Sequence, residues 1–219
     1  MALIGGAEWQ PGCEFDAELL ALAGGEVLVV PTAAAYEHPE RAVATAEEWF
    51  SKLGGRAMSL PVLGRSDAQD RANAETARAA KFIYLGGGSP LHLRSVMKAS
   101  IVWEAIREAW RSGAVLAGSS AGAMVLGDPM VDPRGGAYTL GLGLVPQMAV
   151  VPHYGSWSKE KAGRTVKLAS AGVVVAGIEE RTGLVREPDG TWRVVGNGGV
   201  TLWLEGQEVG TDALPHPVI

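Results

Sequence analysis

Apolar runs and amphipathic stretches alternate along the first half of the chain, and this alternation restricts the possible folds more than any other feature. Continuous apolar runs, typical of strands buried on both faces, begin at Ala2, Glu26, Arg56, Lys81 and Ala114. The stretches between them repeat apolar residues at intervals of three and four, as helices do. Parallel strands joined by right-handed helical crossovers account for this order. The sequence therefore predicts an α/β fold with a doubly wound, mainly parallel sheet flanked by helices.

The last third of the chain has a different pattern. Another buried strand is predicted at 172–178, and two turn sequences, Pro188-Asp189-Gly190 and Asn197-Gly198-Gly199, separate short strand-like runs. These features predict antiparallel strands that close one edge of the sheet near the C-terminus. No linker or repeat interrupts the 219 residues, so we expect one domain over 1–219.

A candidate nucleophile follows the fifth apolar run. Gly118-x-Ser120-x-Gly122 lies between that run and a series of small helix-forming residues. Such a strand, turn and helix is the setting of a nucleophile elbow, in which small neighbours allow a strained turn to expose one hydroxyl. The chain has 30 glycines, so the pattern alone also arises by chance. The elbow therefore needs a base to support it.

His153 is the best candidate for that base among four histidines. It follows an apolar run in "VVPHYGS" and opens a loop before a predicted helix. A structural histidine is the competing interpretation. His216 is the alternative base, because an esterase of the α/β-hydrolase type would share the same elbow and place its histidine late in the chain.

Five segments in the same order resemble the dipeptidase E and cyanophycinase family of serine peptidases. They are "IGGAE" (4–8), "YLGGGSPLHL" (84–93), "AGSSAGA" (117–123), "VPHYGS" (151–156) and "GIEERTGLV" (177–185). The third resembles the family's Gly-x-Ser-Ala-Gly-Ala nucleophile motif, the second its glycine-rich strand exit, and the fourth the segment that carries its histidine. The resemblance covers nearly the whole chain and is much more specific than the elbow alone.

The resemblance implies a fold like that of the class I glutamine amidotransferases and assigns roles to individual residues. Ser120 would be the nucleophile and His153 the general base. Backbone N–H groups at Gly87 or Gly88 and at Ala121 would form the oxyanion hole. A run of glycines suits this task, since a loop without side chains can approach a substrate carbonyl closely.

The acid of the triad is harder to assign. Family members place an aspartate or glutamate between the serine and the histidine, and here that interval holds only Asp128 and Asp132. We predict Asp132, whose spacing to the histidine is closer to the family pattern, although Asp-Pro is also a common turn element. Glu179, after a buried strand, is the alternative.

The resemblance also bears on the substrate, because relatives favour aspartyl bonds. Dipeptidase E acts after an N-terminal aspartate and cyanophycinase on β-linked aspartyl-arginine, and either linkage remains open here. An acidic substrate side chain needs a cation to offset its desolvation. Arg164, in a predicted helix after His153, and Arg134 are the candidates, and each could equally be a solvated surface side chain.

Composition excludes several other classes. The net charge is −5 and the basic residues are scattered, which argues against a nucleic-acid surface. No apolar run reaches the roughly 18 residues of a membrane span, and we expect no signal peptide. The single cysteine, Cys13, suits a reducing cytoplasm, and no Cys/His spacing resembles a metal site. We expect a cytoplasmic peptidase without cofactor, monomeric or homodimeric, acting on small peptides; the alternative is a non-catalytic scaffold.

Overall fold

Two large β-sheets, a small two-stranded antiparallel sheet (β7-β8) and the flanking helices make up residues 1–215, the part of the chain that the computed structural model describes. The α-helices of this part are α1 (Asp16–Leu22), α2 (Pro39–Lys52), α3 (Arg71–Ala79), α4 (Pro90–Met97), α5 (Ile101–Arg111), α6 (Ala121–Leu126) and α7 (Lys159–Lys167). The first eight strands are β1 (Ala2–Ile4), β2 (Glu26–Val30), β3 (Arg56–Ser59), β4 (Phe82–Leu85), β5 (Val115–Ser119), β6 (Gly127–Asp128), β7 (Met130–Val131) and β8 (Tyr138–Thr139). The others are β9 (Val145–Pro146), β10 (Met148–Val151), β11 (Val174–Ile178), β12 (Thr182–Arg186), β13 (Trp192–Gly196), β14 (Val200–Leu204) and β15 (Gln207–Val209).

The larger sheet has seven strands in the order β13-β12-β1-β5-β4-β2-β3. The five from β1 to β3 in this order are parallel, and the pairs β1–β12 and β12–β13 are antiparallel. The predicted fold class is confirmed: parallel strands from the first half of the chain form the centre, and later antiparallel strands close one edge. The parallel strands end on one side of the sheet, where ligands bind in such folds.

Side chains alternate between the two faces of this sheet, and helices cover both. Leu3 belongs to the hydrophobic cluster formed with α3 to α6, whereas its neighbour Ile4 belongs to the cluster formed with α1 and α2. Ile83 and Tyr84 divide in the same way. This is the period of two that a strand imposes, and it explains why strands covered on both faces are apolar throughout.

The second sheet has six strands in the order β15-β14-β11-β10-β6-β9. The late strands therefore divide between the two sheets, since β12 and β13 join the larger sheet while β14 and β15 join the smaller one. The chain passes between the sheets just after β11, where Arg181 has a φ of 54°. Its N–H donates to the carbonyl of Gly6 at 2.9 Å, which brings the following strand alongside β1.

Two predicted boundaries change. The apolar run that begins at Arg56 forms a strand only as far as Ser59, and the helical stretch after it is divided into a 3-10 turn (Asp67–Gln69) and α3. Ser66 makes no capping bond, whereas Asp70 caps α3 by accepting from the N–H of Asn73 at 3.0 Å. The division has a local cause, because the Asp67 carboxylate turns back to accept from the N–H groups of residues 63 and 64.

Glycines allow β4, β5 and α6 to pack with almost no space between their backbones. A Cβ atom added at Gly118 would lie 2.6 Å from the carbonyl carbon and oxygen of Gly122. One added at Gly122 would lie 2.2 Å from the carbonyl oxygen of Leu85. Both glycines of the Gly-x-Ser-x-Gly pattern are thus required by contact with backbone, which cannot move aside as a side chain can.

Asp16, in the first turn of α1, is a fully buried carboxyl under the larger sheet. Burial raises its pKa to about 7, the charge of Glu8 adds to the increase, and the bond donated by Trp49 Nε1 at 3.0 Å opposes it. The other oxygen, Oδ1, has no hydrogen-bond partner among residues 1–215. Folding therefore favours the protonated form of this group.

We expect Asp16 to make the protein less stable as the pH rises. Because the pKa is higher in the folded state, the free energy of unfolding should fall between about pH 4 and pH 7, and the loss should be complete above that range. The Asp16→Asn variant keeps an acceptor for Trp49 and does not titrate, so it should lack this contribution. Urea denaturation at a series of pH values measures the difference between the two proteins; parallel stability profiles would contradict the prediction.

Candidate active site

Backbone hydrogen bonds at the end of β1 connect the segments that carry the predicted nucleophile and base. The carbonyl of Ile4 accepts from the N–H of Ser120 at 2.9 Å, and the next carbonyl, of Gly5, accepts from the N–H of His153 at 2.7 Å. Two segments 33 residues apart in sequence are thus placed by adjacent peptide groups of one strand. The relative position of Ser120 and His153 is a property of the sheet rather than of flexible loops.

Ser120 occupies the sharp turn between β5 and α6. Its φ of 49° and ψ of −108° are unusual for a residue with a side chain, and such conformations persist only where the surrounding structure fixes them. The turn points the hydroxyl away from the packed backbone of β5 and α6. The structure therefore has the strand, strained turn and helix that the sequence pattern predicts for a nucleophile elbow.

His153 follows β10 and faces Ser120. Its Nε2 lies 3.0 Å from Ser120 Oγ, which is hydrogen-bonding distance. The ring lies against the backbone of Gly6, where an added Cβ would be 2.2 Å from its Cε1 atom. A side chain at this position would displace the imidazole, so the second glycine of "IGGAE" makes room for the base.

Glu180 completes the arrangement, two residues after the end of β11. Its Oε1 lies 2.8 Å from His153 Nδ1. An ionised carboxylate can only accept, so Nδ1 carries the proton and the unprotonated Nε2 faces the serine hydroxyl. The side chains of His153 and Glu180 are 36% and 49% exposed, so this hydrogen bond is open to solvent.

The prediction that Asp132 orients the histidine is not supported by the geometry. Its carboxylate is held by Arg134, which donates from its backbone N–H, Nε and a terminal guanidinium nitrogen, each at 2.9 Å. These bonds lower the Asp132 pKa to about 2. The alternative, Glu179, is also engaged elsewhere, because its Oε2 accepts from the N–H of Gly199 at 2.9 Å. The alternative named from the sequence was thus the first of two adjacent glutamates, whereas the second one, Glu180, contacts His153.

The predicted oxyanion groups surround Ser120. Ala121 is the first residue of α6, so its N–H has no acceptor within the helix. A Cβ added at Gly87 would lie 3.5 Å from the Cβ of Ser120. The Gly87 N–H donates to Glu8 Oε1 at 3.0 Å, a contact that the sequence did not suggest. Gly88 has a φ of 129° and packs on the backbone of Ala33, so a glycine is needed here for the conformation of the turn.

The two predicted substrate-binding arginines lie on the surface. Arg134 is 87% exposed and paired with Asp132. Arg164, on α7, pairs with Glu160 at 3.2 Å. A Cβ added at Gly136 would lie 3.8 Å from Arg164 Nε, so the loop that carries Arg134 approaches α7. The structure gives neither arginine a hydrogen bond to Ser120 or His153 within residues 1–215.

Other candidate groups have simpler environments. Burial raises the pKa of the Cys13 thiol to about 12, which makes it a poor nucleophile. His216, the base of the esterase alternative, lies outside the described residues. In residues 1–215, no group of three or more His, Cys, Asp or Glu side chains could hold a metal ion, and no helix is long and apolar enough to cross a membrane.

A surface pocket of about 380 Å³ borders the Glu180 side of the site. Its lining consists of Gly155, Ser156, Glu179, Glu180, Arg181, Asn197 and Gly198. The carboxylate that contacts His153 thus faces open solvent from a groove. The charge on Glu180 is partly screened there, in contrast with a buried triad acid.

Comparison with known proteins gives consistent relatives. The chain is 28% identical over 187 residues to a cyanophycinase from Synechococcus elongatus, a match that covers 80% of this chain and 57% of the relative. It is 31% identical over 166 residues to a cyanophycinase from Trichormus variabilis, covering 70% of this chain and 55% of that protein. The chain thus spans less than two thirds of the length of these curated relatives.

Solved structures and a family model extend the comparison. The crystal structure of a peptidase from an acI-B1 Actinobacterium matches with a TM-score of 0.84 and 30% identity, covering 95% of this chain and 91% of that one. A putative peptidase E from Listeria monocytogenes EGD-e shares the fold, with a TM-score of 0.64, 16% identity and coverage of 93% and 96%. The model of peptidase family S51 matches residues 1–193. The chain therefore belongs to peptidase family S51.

Proposed function

We propose that this protein is a serine peptidase that hydrolyses short peptides through an acyl-enzyme, with Ser120 as nucleophile, His153 as general base and Glu180 as the orienting acid. The observation that carries the proposal is the continuous series of contacts from Ser120 Oγ to His153 Nε2 at 3.0 Å and from His153 Nδ1 to Glu180 Oε1 at 2.8 Å. Nucleophile, base and orienting group within hydrogen-bonding distance are the requirement for activating a hydroxyl. Membership of a peptidase family supports the same reaction.

The first half of the reaction forms the ester. Ser120 Oγ attacks the peptide carbonyl carbon as its proton passes to His153 Nε2. Negative charge develops on the carbonyl oxygen, where the N–H groups of Ala121 and Gly87 can stabilise it. The C–N bond then breaks, and the proton on Nε2 passes to the departing amine.

The second half releases the acid. A water molecule gives a proton to His153 Nε2 and attacks the acyl carbon, and the ester C–O bond breaks as that proton returns to Ser120 Oγ. Glu180 accepts the Nδ1 hydrogen bond throughout and stabilises the imidazolium ion that forms twice in each cycle. The two halves of the reaction use only side chains, backbone N–H groups and water. We propose that the reaction takes place in the cytoplasm.

We expect Ser120→Ala to lose nearly all peptidase activity and to retain the fold, because Ser120 is only half-buried and its hydroxyl contacts His153. The loss in kcat should be at least roughly 10³-fold, and adding His153→Ala should lower the rate little further, since the groups act as a unit. Dipeptide hydrolysis and circular dichroism of the single and double variants test this. Additive losses, or substantial activity in the serine variant, would favour a scaffold function.

Glu180→Gln should lower kcat by roughly 10²- to 10⁴-fold with a smaller change in KM, because a neutral amide stabilises the imidazolium less and permits the wrong tautomer. Glu179→Gln is the matched control, since it changes the neighbouring glutamate without touching the histidine. Asp132→Asn should also retain a kcat near that of the wild type. A larger defect in either of these two variants would show that the acid is assigned wrongly.

For the substrate, we propose a preference for small peptides with an N-terminal aspartate, bound through Arg134 or Arg164. Replacing the residue that reads the acidic side chain should raise KM for Asp-Leu and leave Ala-Leu unaffected. The Arg107→Ala variant is a control, because this arginine pairs with Glu104 on α5. Equal kcat/KM of the wild type for the two dipeptides would contradict a pocket for the aspartate side chain, but it would not contradict the serine mechanism.

A further inference from the structure

Glu8 lies at the glycine loop beside Ser120, and the mechanism above gives it no role. Its Oε1 accepts from the N–H of Gly87 at 3.0 Å, and its Oε2 accepts from the Ser119 hydroxyl at 2.8 Å. A Cβ added at Gly87 would lie 3.0 Å from Glu8 Oε1 and 3.5 Å from the Cβ of Ser120. The carboxylate and the nucleophile therefore share one face of the loop.

An unusual backbone conformation holds Glu8 in this place. The residues on either side have positive φ, 53° at Ala7 and 59° at Trp9, and Gly6 has a φ of 112°. The Trp9 ring packs on buried Tyr84 with ring centroids 5.1 Å apart. A segment with several such conformations is stable only if its surroundings determine it, so the position of the carboxylate is a fixed feature of the fold.

The charge of Glu8 opposes the reaction unless a cation accompanies it. An anion beside the carbonyl that becomes an oxyanion raises the energy of the transition state. No Lys, Arg or His side chain within residues 1–215 forms an ion pair with Glu8. Since the described part of the chain supplies no positive charge beside Glu8, we expect the substrate to supply it.

We propose that Glu8 binds the free α-ammonium group of the peptide and thereby makes the site selective for cleavage after an N-terminal residue. This inference rests on the peptidase function proposed above. In a peptide cleaved after its first residue, the α-ammonium nitrogen is roughly 2.5 Å from the carbonyl carbon that Ser120 attacks. A carboxylate beside Ser120 is therefore close enough to bind this ammonium group. Each carboxylate oxygen accepts one bond in the structure and retains a lone pair for an ammonium donor.

Binding of the ammonium also affects the oxyanion hole. In the free protein, Glu8 Oε1 occupies the N–H of Gly87, one of the two proposed oxyanion donors. An ammonium group at the remaining lone pair of Oε1 offsets the carboxylate charge and weakens the bond to that N–H, which becomes a better donor to the reacting carbonyl. A peptide without the charge leaves the donor occupied. Recognition of the amino terminus therefore contributes to kcat as well as to KM.

The test compares one dipeptide in three forms: with a free amine, N-acetylated, and with the amine replaced by hydrogen. Wild-type kcat/KM should be higher for the free form by roughly 10- to 100-fold, as expected for a hydrogen bond between charged groups. Glu8→Gln should lose this advantage, because it slows the free form and removes the unpaired charge that opposes hydrolysis of the other two, so that the ratio approaches one. Glu26→Gln, which removes an exposed charge paired with Arg56, should keep the wild-type ratio.

Two results would overturn the proposal. One is equal hydrolysis of the three forms by the wild type, a comparison that does not depend on the folding of any variant. The other is a Glu8→Gln defect of the same size for all three forms, which would mean that Glu8 only supports the glycine loop. Failure of the proposed peptidase function has a different signature, since no form would then be hydrolysed, and the Glu8 proposal would fall with it.

Discussion

Three successive backbone carbonyls at the end of β1 determine the geometry of the candidate site. The carbonyls of residues 4–6 accept, in order, from the N–H groups of Ser120, His153 and Arg181. Arg181 directly follows the glutamate that contacts the imidazole, so one short strand end holds the segments that carry Ser120, His153 and Glu180. Because a backbone hydrogen bond in a sheet fixes both distance and direction, the three side chains need little conformational adjustment to meet. The site is thus an extension of the sheet's hydrogen bonding.

This arrangement depends on positions without side chains. A Cβ added at Gly5 would lie 2.1 Å from the carbonyl oxygen of Glu179, and one at Gly6 would lie 2.2 Å from Cε1 of the His153 ring. Gly122 similarly brings α6 against β4. The same glycines increase the entropic cost of folding, since glycine loses more backbone freedom than other residues. That cost is offset by the extensive apolar burial of the strands that lead into the site.

The sequence predicted the parts of this structure that depend on local chemistry. Alternating apolar runs predicted the parallel strands, and the Gly-x-Ser-x-Gly pattern correctly indicated the sharp turn at Ser120. The contact between His153 and Glu180 was missed because it depends on tertiary placement: a nearby arginine occupies Asp132, and the bend after β11 brings Glu180 to the imidazole. Glu8 was missed for the same reason. Its contact with Gly87 joins segments 79 residues apart, which no local pattern reveals.

A fluorophosphonate probe measures whether the geometry around Ser120 activates its hydroxyl. Such reagents react covalently with an activated serine, and the protein does not have to recognise a particular peptide for this reaction. Mass spectrometry of the intact, labelled protein followed by peptide mapping would identify the site. We expect one adduct, on Ser120. A protein that remains unlabelled, or that is labelled at another residue, would contradict it.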